Sequence, residues 1–169
     1  MAGLVVTRIL IDGAILTAVL SAALVLMLYF NPRLALSDYP EDVKAVVPPR
    51  TRYELRLGIA LTIPMLIVAV GIPLYSAWLV RAQSGGSLTY GTAFVIFLGE
   101  YLLFSAFDLI VLDVGMFYTW TPKFLVLQGT EGMPGYKDWR PHVKAQLTTG
   151  NLIVVVVSAL LAVVPAVVW

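Results

Sequence analysis

The 169-residue chain is 60% hydrophobic and only 12% charged, against roughly 25% charged in a typical soluble domain. So large an apolar surplus cannot be enclosed in one small globule, and lipid must solvate much of the surface. A net charge of +1 excludes a nucleic-acid footprint, the absence of cysteine excludes disulfides and thiol chemistry, and a single histidine is too little for a haem or transition-metal cluster. The expectation is an all-α polytopic membrane protein, one domain over residues 1–169 with four transmembrane helices, no cofactor and no metal.

Arg8 is followed by an apolar run that reaches Phe30. It is too long for the apolar region of a signal peptide and lacks a small-x-small cleavage site, so a retained helix over about residues 5–30 is expected. Asn31-Pro32 ends it. Gly13, Thr17 and Ser21 recur every four residues, with Ala14, Ala18 and Ala22 beside them. Small side chains at that spacing let a second helix approach closely. Arg8 and Asp12 lie one turn apart near one end, where an Arg side chain snorkels to water, and are expected to pair.

Residues 31–51 form the most patterned polar stretch. Pro40 suits the first position of a short surface helix over about residues 40–46, with Glu41 and Asp42 complementing its dipole, and Pro48-Pro49 stops it. Thr51-Arg52-Tyr53-Glu54 fits a capping box that starts the second helix, about residues 52–81. Pro64 and Pro73 should kink that helix, which neighbours can tolerate by satisfying the freed carbonyls. Tyr75 and Trp78 fit an interfacial aromatic belt. A short A-Q-S-G-G-S turn then makes the second and third helices an antiparallel hairpin.

The third helix, about residues 88–118, carries Glu100, Asp108 and Asp113 inside an apolar span. In the following stretch, residues 121–149, the apolar piece from Phe124 to Leu127 is too short to span, and Gly129, Gly132, Pro134 and Gly135 oppose regular structure. The fourth helix, about residues 150–169, is Val-rich, with Ser158, Ala162 and Ala166 four residues apart and Trp169 as an interfacial anchor. Of the 11 Lys and Arg residues, Arg33, Lys44, Arg50, Arg52, Arg56, Lys123, Lys137, Arg140 and Lys144 fall on the side of the two long loops, leaving Arg8 and Arg81 opposite. The imbalance puts both loops in the cytoplasm and both termini outside, in a bacterial inner membrane.

The combination N-P-R-L…D-Y-P-E-D-V…V-P-P-R-T-x-x-E, then F-D-x-x-x-x-D, then T-P-K-F-x-V-x-x-G-T-E-G-M-P-x-Y-K-D resembles a group of small bacterial integral membrane proteins of uncharacterised function. The resemblance spans both loops and the third helix. It implies that Asp38, Tyr39, Pro40, Asp108, Asp113, Lys123, Gly129, Thr130, Glu131 and Gly132 are recurrent features of that group, and it implies no activity.

Depth separates the acids. At ~1.5 Å rise per residue and with the helix centre near Leu103, Asp108 lies roughly 7 Å and Asp113 roughly 15 Å to the cytoplasmic side, and Glu100 about 5 Å outward. Arg56 falls near the depth of Asp113 and is the expected partner. Glu100 meets Arg8 or Asp12 only if the first and third helices touch; otherwise it is expected to be protonated and hydrogen-bonded to Ser105, Tyr101 or a carbonyl. Asp108 has no basic residue at its depth apart from the reach of Arg56, and an acid in the membrane is a functional candidate by default. Asp108 and Glu100 point to adjoining faces, about 80° apart, and a shared water-filled crevice is one arrangement that would use both.

The G-T-E-G-M-P-G-Y-K-D loop offers glycine N–H groups for an anion, but it lacks P-loop spacing and carries Glu131 in its middle. A structured turn packed on the D-Y-P-E-D loop is expected instead. His142, beside Pro141, reads as an ordinary surface or interface histidine.

Three function classes follow. The first is a transporter- or channel-like protein, as a single chain or an oligomer, in which Asp108 and Glu100 handle protons, cations or a polar solute. The second is an accessory subunit that docks a partner membrane protein through small-residue faces on the first and fourth helices and a cytoplasmic factor through its loops. The third is a lipid-acting enzyme using Asp108, Asp113, Lys123 and Glu131 at the inner headgroup level, and it is disfavoured because no nucleophile–base set is visible.

Overall fold

Thr51 marks the sharpest boundary in the chain. Its hydroxyl accepts the Glu54 N–H at 3.2 Å while Glu54 Oε2 accepts the Thr51 N–H at 2.7 Å, the reciprocal capping box expected there. In this computed structural model, which describes residues 1–168, the long helix so started is α3 (Arg52–Gln83). It follows α1 (Ala2–Phe30), a 3-10 turn at Pro32–Asp38 and the short α2 (Glu41–Val46). Next come α4 (Tyr90–Phe107), continued without a break by a π-helical segment at Asp108–Trp120, then 3-10 turns at Lys123–Leu125 and Pro134–Lys137. The chain closes with α5 (Arg140–Ala145), a π turn at Gln146–Gly150, α6 (Asn151–Leu161) and α7 (Val163–Val168).

The described residues are helical with no strand, and four helical stretches are long and apolar enough to cross a membrane: Ala2–Phe30, Arg52–Gln83, Tyr90–Trp120 and Arg140–Val168. α1 lies between α3 and α4, and α4 also packs on α6. Leu16, Leu20, Val80, Ala93, Ile96 and Phe97 fill the space between them. Gly13, Thr17 and Ser21 are all buried on α1, so the small-residue face is used inside the chain, whereas Ala14, Ala18 and Ala22 are exposed. A Cβ on Gly13 would stand 2.8 Å from Leu103 Cδ1 and 3.3 Å from Glu100 Cα, which shows how close α4 comes.

Pro73 removes the N–H that the Ala69 carbonyl would have accepted one turn earlier. Tyr101 on α4 donates its hydroxyl to that carbonyl at 2.9 Å. A neighbouring helix thus makes the proline tolerable, as expected. Arg33 staples the first loop to α3, with Nε 2.6 Å from Glu54 Oε1 and Nη2 within 3.0–3.1 Å of the Pro48 and Pro49 carbonyls.

Several boundaries differ from the sequence expectation. α1 starts at Ala2 and the third span runs to Trp120. Pro40 caps α2 instead of occupying its first position. The fourth span begins at Arg140, ten residues before the expected 150, because Pro141 sits in the first turn, where its missing N–H costs nothing. The second loop is correspondingly shorter. The final helix is interrupted at Ala162, just where Pro165 leaves the Leu161 carbonyl without a donor. Ser158 and Ala162 are buried but Ala166 is exposed. The expected anchor Trp169 lies outside the described residues.

Candidate functional site

Beyond Phe107 the third span changes its winding. The Thr121 N–H reaches the Met116 carbonyl at 2.8 Å and the Thr119 hydroxyl reaches the Val114 carbonyl at 2.7 Å, each five residues back. This winding matters for the acids. Five residues of α-helix turn a side chain by about 140°, which would send Asp108 and Asp113 to different faces. Hydrogen bonding from i to i+5 widens each turn and brings residues five apart onto nearly one face. Asp108, Asp113 and Tyr118 are spaced by five, and all three line one cavity. Thr121 ends the segment in the left-handed region at φ 50°, and the Lys137 ammonium donates to the Tyr118 and Thr119 carbonyls at 3.3 and 3.2 Å and to the Thr121 hydroxyl at 2.8 Å.

The partner of Asp113 is His142. Its Nε2 lies 2.8 Å from Asp113 Oδ2, with the two side chains 31% and 22% exposed. Arg56 does not make the expected pair: it is exposed on α3. The early start of the fourth span explains this, since it carries His142 on a helix facing the π segment and fills the place assigned to Arg56. One turn on, Gln146 donates to the Ser105 hydroxyl at 2.9 Å. Asp108 has no hydrogen bond or ion pair among the described residues, and Asp113, His142 and Asp38 are the charged groups around it.

The cavity has a volume of ≈ 270 Å³. Leu24, Met27 and Leu28 of α1 and Leu112 and Met116 of the π segment form its apolar wall, and Asp38, Asp108, Asp113, His142 and Gln146 its polar end. The loops roof it. The buried Tyr39 donates its hydroxyl to the Leu125 carbonyl at 2.8 Å and packs edge-on against Phe117 and Tyr136. Burial and, secondarily, the Tyr136 phenol push the Tyr39 phenol above its ordinary range, so it stays protonated and able to donate. The Gly135 N–H donates to Asp42 Oδ2 at 2.9 Å, joining the G-M-P-G turn to the D-Y-P-E-D loop as expected. A wider groove on the loop side shares Asp38, Tyr39, Tyr118 and His142 with the cavity, so the polar end lies next to the loop surface.

Comparison with protein-family models, with curated proteins and with solved structures finds no match. The site is therefore read from its own chemistry. Among the described residues no group of three or more His, Cys, Asp or Glu side chains is arranged to hold a metal ion. Two carboxylates and an imidazole facing an apolar-walled space can bind a cation or take up and release a proton.

The other predicted residues lie apart from this cavity. Arg8 and Asp12 pair as expected, at 3.8 Å. Glu100 is fully buried against α1 and lines none of the cavities described, so it does not share a crevice with Asp108. Neither Ser105 nor Tyr101 hydrogen-bonds it, and neither carboxyl oxygen meets the criteria for a hydrogen bond to any of the described residues. Thr130 is a buried structural hydroxyl, donating to the Leu127 carbonyl at 2.7 Å and 2.8 Å from the Tyr136 hydroxyl. Glu131 accepts the Gly129 N–H at 3.2 Å and so occupies the backbone donor that an anion would need. Lys123 is exposed.

Sequence reasoning missed His142, Gln146 and Tyr118. The signal for Tyr118 was present, because D-x-x-x-x-D continues as x-x-x-x-Y at the same spacing.

Proposed function

We propose that the chain is a four-span protein of the bacterial inner membrane with both termini outside, and that it works as a transporter- or channel-like protein handling a proton, a cation or a polar cationic solute at the Asp108–Asp113–His142 cavity. The carrying observation is Asp108: a carboxylate without a hydrogen-bond or ion-pair partner among the described residues, at the polar end of an apolar-walled cavity, on a segment of π-helix. π-helical turns are rare and concentrate at functional sites. An acid kept within an apolar span is costly, and a cationic occupant would offset that cost. Asp113, 2.8 Å from His142 Nε2, supplies a second carboxyl group that adds to the charge the occupant meets.

The membrane reading is supported by exposed apolar residues along α3, among them Ile59, Ile63, Leu66 and Ile67, which lipid would solvate. The inner-membrane location and orientation rest on the Lys/Arg imbalance and on the loop resemblance. The exposed Ala14–Ala18–Ala22 stripe favours a second reading, a homo-oligomer or partner subunit docked on α1. The two readings differ in their test. Proton and monovalent-cation flux into proteoliposomes, followed with entrapped dyes, should fall with Asp108→Asn under the first reading, whereas the second requires a stable complex in mild detergent and no change in flux.

A further inference from the structure

Between α1 and α3 runs an apolar groove of ≈ 580 Å³ that shares only Met27 with the Asp108 cavity. Leu20, Ala23 and Met27 of α1 form one wall, Leu57, Leu61 and Met65 of α3 the other, and Asn31 and Leu34 close the loop end. The volume lies within the ~300–1,000 Å³ that small-molecule sites occupy. Its rim is uncovered, with Phe30 79% and Leu26 55% exposed.

The depth fits one acyl chain. Leu57 and Val68 line the groove eleven residues apart on α3, which is roughly 16 Å at ~1.5 Å per residue. Half of a ~30 Å hydrocarbon core is about 15 Å. The walls suit a flexible chain better than a helix. Close helix docking in membranes uses Gly, Ala and Ser, and this groove offers Leu, Met, Val and Pro, with Ala23 its one small lining residue.

The mouth is basic. Residues 13–32 and 57–80 hold no charged side chain, so both walls are neutral. At the loop end, Arg50 donates from Nη1 to the Leu34 carbonyl at 2.8 Å, which fixes its guanidinium beside a lining residue. The other N–H donors of Arg50 bond none of the described residues. Arg33 is committed to Glu54, at 2.6 Å, and to the Pro48 and Pro49 carbonyls. Arg52 and Arg56 are exposed at the start of α3, with no hydrogen bond or ion pair among the described residues. Against these stand Glu54, the only Asp or Glu from residue 43 to residue 99, and Asp38, which lines the Asp108 cavity. Glu41 is paired with Lys44, and Asp42 accepts the Gly135 N–H. Arg81 lies at the opposite end of α3. Four guanidiniums thus outnumber two carboxylates even with Asp38 counted.

We propose that the groove binds one anionic phospholipid from the leaflet on the loop side, with an acyl chain between α1 and α3 and the phosphate held at Arg50. A phosphate oxygen accepts from the Arg50 N–H groups that the Leu34 carbonyl leaves over, and Arg52 and Arg56 add attraction at the headgroup level. The inference rests on the membrane reading of the four spans, and neither on their orientation nor on what Asp108 handles.

Native mass spectrometry of the full chain, released from bilayers of phosphatidylglycerol and phosphatidylcholine in equal parts, tests it. The wild type should retain one phosphatidylglycerol in preference to phosphatidylcholine. Arg50→Gln keeps an N–H for the Leu34 carbonyl but loses the charge, and should cut that preference about fivefold, whereas Arg50→Lys should keep most of it. Leu61→Trp should fill the groove and abolish retention, whereas Ile63→Trp, at an exposed position of α3 outside the groove, should not. Equal retention of the two lipids by the wild type, or a preference unchanged in either Arg50→Gln or Leu61→Trp, would overturn the proposal and leave the membrane reading standing. A chain that alkaline carbonate strips from the bilayer would overturn both.

Discussion

At the scale of single residues, two contacts carry the argument. The first is the hydroxyl of Tyr101 on the carbonyl that Pro73 frees. Tyr101→Phe should destabilise the fold by about 1 kcal/mol, because an unpaired carbonyl is left between helices. In a Pro73→Ala background, where the helix can supply its own donor, the same change should cost less; equal losses in denaturant unfolding would refute the coupling. The second contact is His142 on Asp113. His142→Asn should lower stability by about 1–3 kcal/mol, since a partly buried carboxyl group loses its hydrogen-bond partner. Asp113 was recognised from sequence as an acid needing a partner, but the partner was misassigned. Pro141 reads as a stop signal in a one-dimensional pattern, and its harmless place in a first helical turn is visible only once the helix is there.

At the scale of elements, much of α1, α3 and α4 follows from local chemistry. The capping box, the glycine turn and the four-residue spacing of Gly13, Thr17 and Ser21 each specify what the helix does next. Gly13→Val should cost about 1–3 kcal/mol by overpacking against Leu103 and the Glu100 backbone. Gly58→Ala, at a position with nothing within 4 Å, should be neutral or mildly stabilising. Equal effects at the two sites in an unfolding assay would show that α1 and α4 do not pack as described. The π segment was not legible. Its residues continue the apolar run of α4, and no propensity distinguishes i+5 from i+4 bonding. Only the repeated spacing of Asp108, Asp113 and Tyr118 hints at it. The α-helical depth scale accordingly separated two aspartates that the real winding places together.

At the scale of the whole molecule, four apolar stretches were evident from composition and periodicity, because the demand for about 20 apolar residues per crossing leaves few alternatives. What composition could not supply was which polar groups meet across helices, since that depends on rotations about four helix axes. A reporter of the alkaline-phosphatase type fused after the last helix should be active if the termini lie outside, and silence there would reverse the proposed orientation. The central claim, however, concerns the cavity between the π segment and α5. Its most direct test is flux of protons and monovalent cations into proteoliposomes containing wild-type protein or Asp108→Asn, with matched folding verified by circular dichroism. A charge-assisted contact is worth ~1.5–3 kcal/mol, so flux at limiting concentration should drop by about tenfold to a hundredfold in the variant. Flux in Asp108→Asn equal to that of the wild type would contradict the assignment of this cavity as the working site.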